Sequence, residues 1–396
     1  MPKLPCVTLL LCALLGSALP LQAQPFLVKD IRTGELPAEW PSDPEFVDLG
    51  GIALFTAFDR IHGTELWRSD GTPGGTSLVR DVCPGICSST PAELTVAGGV
   101  IFFRADDGAH GPSLWKSDGT AAGTGLVKEV EPSSLAEVNG LVAFAATSAA
   151  QGQELWRSDG TAAGTFSLGD LSPGASGSIP LPLGRIGSLL LFRADDGVHG
   201  RELWKTDGTM AGTAFVEDIL SGPDSAFPFS STKEGSAVAG GKLVFRAAPG
   251  YKLWGSDGTA AGTAQVKDVV PSPDLGIAEV RFVNLGEEVF FSTGGGLWKT
   301  DGTEAGTVPA SGALSYPSEL TAAGDRIFFK TASGFYPDAK LNVTDGTEAG
   351  TMQVPLAASL LDYGTNGFGA LGDNLVFFAT TNAAGGEPWT SDGTEA

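Results

Sequence analysis

Residues 66–76 read LWRSDGTPGGT, and the same string, Leu-Trp-x-Ser/Thr-Asp-Gly-Thr-x-x-Gly-Thr, returns down the whole chain. It stands again at Leu114–Thr124, Leu155–Thr165, Leu203–Thr213, Leu253–Thr263 and Leu297–Thr307. A worn copy at Leu341–Thr351 has Asn342 in place of Trp, and a last copy, Pro388–Ala396, is cut short. The Asp residues of the copies are Asp70, Asp118, Asp159, Asp207, Asp257, Asp301, Asp345 and Asp392, with a mean spacing of 46 residues. Repeats of about 40–50 residues mean a solenoid, an array or a propeller.

One unit, residues 92–130, shows what is repeated. Ala92–Ala97 reads as a short strand ending in Gly98-Gly99, a hairpin signal. Val100–Ala105 (VIFFRA) is a second, strongly apolar strand, and residues 106–112 (DDGAHGP) form a turn-rich loop. Ser113–Ser117 is a third strand, Asp118–Thr124 a tight turn, and Gly125–Val130 a fourth strand. Helical periodicity is nearly absent. Four short strands per repeat predict an all-β, closed β-propeller of eight four-stranded blades. Neighbouring blades would cover both faces of each sheet, so Leu114 and Trp115 can both be large and apolar although they point opposite ways. The repeat Trp residues, Trp67, Trp115, Trp156, Trp204, Trp254, Trp298 and Trp389, sit one to a blade. That spacing favours core packing over a shared stacking platform for sugars.

The chain ends carry a further signal. Residues 26–31 (FLVKDI) match the strand that follows each turn, such as Leu126–Val130 and Gln265–Val269. The first strand is therefore expected to complete the last blade and close the ring, which removes exposed sheet edges. Ahead of it, Lys3 and the apolar run Cys6–Leu15 read as a secretory signal, with cleavage after Ala23. Residues 24–396 then form a single domain. The apolar run is too short for a membrane span.

Composition narrows the partners. The formal net charge is −22, which disfavours nucleic acid and anionic membranes as partners on electrostatic grounds. Cys6 and Cys12 fall in the signal. Cys83 and Cys87, in the loop CPGIC, are expected to form a local disulfide in an oxidising compartment.

The repeats resemble the ELWxxDGT repeat family of secreted and surface-associated bacterial proteins, through Glu65–Thr72, Glu154–Thr161 and Glu202–Thr209 and the preceding 195–200 (DDGVHG). The resemblance implies a propeller-like exported protein and transfers no defined activity.

Strand alternation places the Gly-Gly hairpins and the Asp-Gly-Thr turns on one face. Each such Asp is read as an Asx-type turn residue rather than a Ca²⁺ ligand, because one carboxylate per turn is too few. The other face carries long variable loops, the usual seat of binding on a repeated scaffold. Its candidate binding residues are Phe227, Phe229, Tyr316 and Tyr363, with His62, His110 and His199 at one repeat position and Asp106, Asp107, Asp195 and Asp196 beside two of them. Repeat-locked histidines on separate blades do not converge on one metal, although a weak Ca²⁺ site within each Asp-Asp-Gly loop stays open as the sole cofactor. Arg104, Arg193 and Arg246 recur inside strands and read as blade features.

No HExxH, GxSxG or P-loop pattern occurs. The functional expectation is thus a monomeric, exported, non-catalytic module, not an enzyme, that binds a carbohydrate, surface polymer or protein through its loop face. The alternatives are a propeller hydrolase acting on extracellular polysaccharide and a Ca²⁺-stabilised structural surface protein.

Overall fold

The computed structural model describes residues 46–394 apart from 228–234, 251, 270–280, 294–295, 313, 315–316, 332–338, 356–358, 361–367, 372 and 382–384. The expected signal at 1–23 and the expected closing strand at 26–31 lie outside the described residues. Every described element is a β-strand. The strands form eight antiparallel sheets, taken here in chain order. In the second sheet, Ala92–Ala97, Val100–Ala105, Ser113–Ser117 and Gly125–Lys128 pair in sequence as a simple meander. The first sheet (from Phe46–Asp48 to Ser77–Arg80) and the third through seventh repeat this order. In the eighth, Ser359–Leu360 and Phe368–Leu371 both pair with Asn374–Thr381, which also pairs with Gly385–Ser391.

Successive sheets touch through their first strands, from Phe46–Asp48 against Ala92–Ala97 through to Ser318–Ala323 against Phe368–Leu371. This is a propeller-like arrangement, with each sheet standing beside the next. It explains why the centres of the second strands carry consecutive apolar residues. Ile101, Phe103 and Ala105 join Leu54, Leu66 and Val79 in a core between the first and second sheets. Phe102, on the opposite face of the same strand, packs with Val142 and Phe144 between the second and third. The Leu-Trp pair divides in the same way. Trp115 faces back into the first core and Leu114 forward into the next. Trp204 and Leu203 repeat that division one interface on from the third sheet. Trp67, Trp115 and Trp204 are buried, while Trp156, Trp254 and Trp298 are half-buried against the cores of their own interfaces. The Trp389 side chain lies outside what is described. Asn342, in the worn repeat, is buried, and its amide donates to Thr331 Oγ1 at 2.8 Å and to the Lys340 carbonyl at 3.0 Å.

Cations also bind most sheets to the next. Arg68 donates to the Gly119 carbonyl at 2.9 Å, Arg157 to Gly208 at 3.2 Å, Lys205 to Gly258 at 2.8 Å and Arg326 to Asp392 at 2.7 Å. From the fourth strands, Lys128 and Lys267 donate to the Thr165 and Thr307 carbonyls, both at 2.6 Å. Each acceptor lies in or just after the Asp-Gly-Thr turn of the following sheet. The turn carbonyls, which would otherwise need water, thus become hydrogen-bonded joints between sheets.

Because Leu114 is wholly buried in an interface core, Leu114→Ala is expected to lower unfolding free energy by about 2–5 kcal/mol. Urea denaturation followed by tryptophan fluorescence checks this, since the midpoint should fall while the slope stays unchanged.

Candidate functional site

The two ends of the sheets do different work. At one end sit the Asp-Gly-Thr turns. In the second sheet, Asp118 Oδ1 accepts the Thr120 N–H at 2.8 Å and the Thr120 hydroxyl at 2.7 Å. Thr120 Oγ1 in turn accepts the Gly123 N–H at 3.0 Å, and Thr124 Oγ1 donates to the Thr120 carbonyl at 2.7 Å. A Cβ on Gly123 would stand 2.1 Å from the Asp118 carboxyl carbon, so only glycine lets the carboxylate fold over the turn. The Asp–Thr bonds recur at Asp70, Asp159, Asp207, Asp257, Asp301, Asp345 and Asp392. These bonds hold each Asp carboxyl below its ordinary value. One oxygen of each is already committed to the turn. A cleft lined by Gly240, Lys242, Gln265, Asp301 and Glu304 also opens at this end.

The opposite end gathers the loop between the second and third strands and the longer loop leading to the next sheet. A buried glutamate joins them. Glu65 accepts the N–H groups of Val82 (3.2 Å), Cys83 (3.2 Å) and Ser89 (3.1 Å), and the Ser89 hydroxyl at 2.5 Å. Glu154 takes Leu171, Ser172 and Ser178 at the same offsets, with the Ser178 hydroxyl at 2.6 Å. Glu202 takes Ile219 at 2.8 Å and Ala226 at 2.9 Å. All three are wholly buried, and burial pushes each carboxyl above its ordinary value, Glu202 to about 7. Sequence reading treated these residues only as repeat markers. The signal was present: a glutamate directly before Leu-Trp in the first, third and fourth repeats.

Beside these clasps stand three histidines. His62 Nδ1 lies 2.8 Å from Asp59 Oδ2, His110 Nδ1 2.8 Å from Asp107 Oδ2, and His199 Nδ1 2.7 Å from Asp196 Oδ2. The same Asp residues accept the backbone N–H of the paired histidine, so each pair is a closed turn. The hydrogen bond to the carboxylate holds each imidazole above its ordinary value. It also fixes the tautomer, with the proton on Nδ1 and Nε2 left to act. His110 Nε2 lies 3.7 Å from Glu129.

Cys83 and Cys87 are disulfide-bonded, with their Cα atoms 5.3 Å apart. Their loop is wedged between two of the histidine loops. A Cβ on Gly63 would meet the Cys87 carbonyl at 2.4 Å, and one on Gly108 would meet Cys83 Sγ at 3.0 Å. The stapled loop thus fixes the spacing of the His62 and His110 turns.

Several candidate positions come out differently. Phe227, read as a binding residue, is buried and packs on Phe245 with ring centroids 5.7 Å apart, so its ring belongs to the core between the fourth and fifth sheets. Phe229, Tyr316 and Tyr363 lie outside the described residues. Asp106 and Asp195 each accept the N–H two residues on, from Gly108 and Gly197, both at 2.8 Å. Asp107 and Asp196 spend both oxygens on their histidine turns. Among the described residues no group of three or more His, Cys, Asp or Glu side chains is placed to hold a metal ion. Asp59, the partner of His62, was missed because no second acid precedes it, as one does at 106–107.

No protein-family model matches the sequence, and no curated protein matches it. Among solved structures the chain is similar to puromycin hydrolase, at 16% identity and a TM-score of 0.42, over 85% of this chain and 58% of that one. A puromycin-hydrolyzing peptidase of Mycobacterium tuberculosis aligns at 13% identity and a TM-score of 0.41, over 79% and 44%. A structure from a study of two prolyl endopeptidases aligns at 11% identity and a TM-score of 0.40, over 76% and 49%. The chain spans about half the length of these structures. All are hydrolytic enzymes, which runs against the expectations of a non-catalytic binding module and of a chain that is not an enzyme. The likeness is one of fold and assigns no substrate or catalytic residue.

Glu154→Ala would leave four donors without their acceptor, and is expected to cost about 2–4 kcal/mol of stability. Glu154→Gln keeps an acceptor oxygen and should cost less than half as much. Urea melts of the two variants beside the parent measure the difference.

Proposed function

We propose that this chain belongs with the ELWxxDGT repeat proteins and is the propeller part of an exported hydrolase acting on an extracellular polymer. In this reading the ring closes with eight blades, and residues 26–31 supply the fourth strand beside Gly385–Ser391. Support for closure comes from the match of FLVKDI to the other fourth strands.

The observation that carries the hydrolase reading is the set of carboxylate-held imidazoles beside the stapled loop. A histidine whose Nδ1 proton is held by a carboxylate presents Nε2 as a general base toward water or a substrate hydroxyl. His62 and His110 are partly exposed, with 30% and 41% of their side-chain surfaces open, so a substrate can reach them. The buried glutamates cannot serve, because no solvent reaches them. The stapled loop between the two turns keeps them at a constant separation, as a site for an extended substrate requires.

The test is hydrolysis by the purified protein of extracellular polysaccharides, peptide amides and aryl esters, measured between pH 5 and pH 9. Turnover of one class is expected, rising with pH above the ordinary histidine value as the imidazole loses its proton. His62→Ala or His110→Ala should then lower kcat by about 10²-fold or more. Failure to turn over any of the three classes, or turnover unaffected by both substitutions, would overturn the assignment of these histidines as the acid–base groups.

A further inference from the structure

The loop that carries the disulfide has a twin. Residues 83–87 (CPGIC), after the first sheet, correspond to residues 172–176 (SPGAS), after the third, at the same offsets from the clasping glutamate. Serine stands where each cysteine stands, and the Pro-Gly pair is kept. Glu65 and Glu154 hold the two loops through the same donors. They take the Cys83 and Ser172 N–H groups at 3.2 and 3.4 Å, and those of Ser89 and Ser178 at 3.1 and 3.0 Å. The backbone bonds beyond the clasp repeat as well. Thr90 donates to the Thr64 carbonyl at 3.2 Å, as Ile179 does to Gln153 at 3.1 Å. Asp106 donates to the Ser89 carbonyl at 3.0 Å, as Asp195 does to Ser178 at 2.9 Å. The seats match too. A Cβ on Gly108 would meet Cys83 Sγ at 3.0 Å, and one on Gly197 would meet Ser172 Oγ at 3.5 Å. In both loops the first position is buried and the next four are exposed.

The twin decides what the bridge does not do. A loop with this clasp, these backbone bonds and this seat forms with two serines, so its shape does not depend on the sulfur–sulfur bond. Chain entropy points the same way. The cysteines are four apart, and the stabilisation gained by closing a loop is least for the shortest loops. The pair is also asymmetric. Cys83 is 3% exposed and its N–H lies inside the clasp, whereas Cys87 stands at the open end of the loop. Exposed disulfides are the labile ones, because a thiolate can reach a sulfur.

We propose that Cys83–Cys87 is a reversible thiol-exchange site, opened at Cys87 by an external dithiol while the surrounding sheets stay folded. One thiolate of the dithiol attacks Cys87 Sγ, the bond between the two cysteines breaks, and Cys83 leaves as a thiolate that takes up a proton. The second thiol of the reagent, once ionised, attacks the reagent's own sulfur in the mixed disulfide. The reagent closes into a cyclic disulfide, and Cys87 is released and protonated. Two electrons and two protons pass from the dithiol to the protein. A dithiol is needed because the clasp keeps Cys83 beside Cys87 after the first attack. Cys83 expels a single bound thiol before a second molecule arrives, whereas the second group of a dithiol competes from within the same adduct. The site requires no catalytic role of the neighbouring histidines.

The test treats the intact protein, without denaturant, with dithiothreitol or with reduced glutathione at the same thiol concentration. Alkylation with iodoacetamide and peptide mass mapping then read Cys83 and Cys87 separately from Cys6 and Cys12. Dithiothreitol is expected to leave both Cys83 and Cys87 alkylated with tryptophan fluorescence unchanged, and glutathione to leave the pair closed. Removing the dithiol and adding oxidised glutathione should restore the bridge. Cys87 in Cys83→Ser should alkylate about tenfold faster or more than Cys83 in Cys87→Ser, since access governs the rate. The double variant Cys83→Ser/Cys87→Ser, which gives the loop the serines of its twin, should fold with the parent's fluorescence. The proposal fails if the bridge opens only in denaturant, if opening it unfolds the protein, or if glutathione opens it as fully as dithiothreitol. It fails equally if the two single variants alkylate at the same rate, or if the double variant does not fold.

Discussion

The structure depends on burying both faces of the sheets that stand between two neighbours. A four-stranded antiparallel sheet with one wet face would alternate apolar and polar residues. Here the second strands are apolar on both faces at their centres, and Phe102 and Phe103, side by side in sequence, enter different cores. A single repeat cannot satisfy such a strand. Each inner sheet meets a neighbour on either side, and that need makes the repeats stack and fixes which way Leu and Trp of the motif point.

Stacking creates a second problem, which polar groups solve at the two ends. At the turn end, an aspartate folds over a glycine to satisfy its own turn, and a lysine or arginine from the preceding sheet takes a turn carbonyl. At the loop end, a buried glutamate gathers the backbone donors of the next connection. The Asp–Thr bond of the first device is local and recurs in all the copies. The second spans 17 to 24 residues and occurs in the first, third and fourth sheets. The exposed chemistry of the loop end, the histidine turns and the disulfide loop, rests on these anchors.

This division also separates candidates that sequence alone leaves together. Phe227 and the histidines all fall on the long-loop side of the repeat. In space, Phe227 closes a core, whereas His62, His110 and His199 keep part of each ring at the surface. The histidines belong to different sheets, yet the first two are brought into one neighbourhood because the Cys83–Cys87 loop fits against Gly63 on one side and Gly108 on the other. No spacing rule contains that contact, since it runs between neighbouring sheets.

Sequence by itself determined the repeat, the four strands within it, the Asp-Gly-Thr turns and the pairing of Cys83 with Cys87, because each is written in contiguous residues whose local chemistry has few solutions. Glycine beside a folded carboxylate, alternating strand faces and two cysteines four apart need no distant partner to be read. Tertiary structure decided the rest: the role of the glutamate before Leu-Trp, the cations that reach the next sheet, the burial of Phe227 and the grouping of two histidine turns round one loop. Each depends on a partner 17 or more residues away, placed by the stacking of whole sheets. The energy that sets those contacts comes from desolvation, which acts on the assembled surface and leaves no mark on the local string.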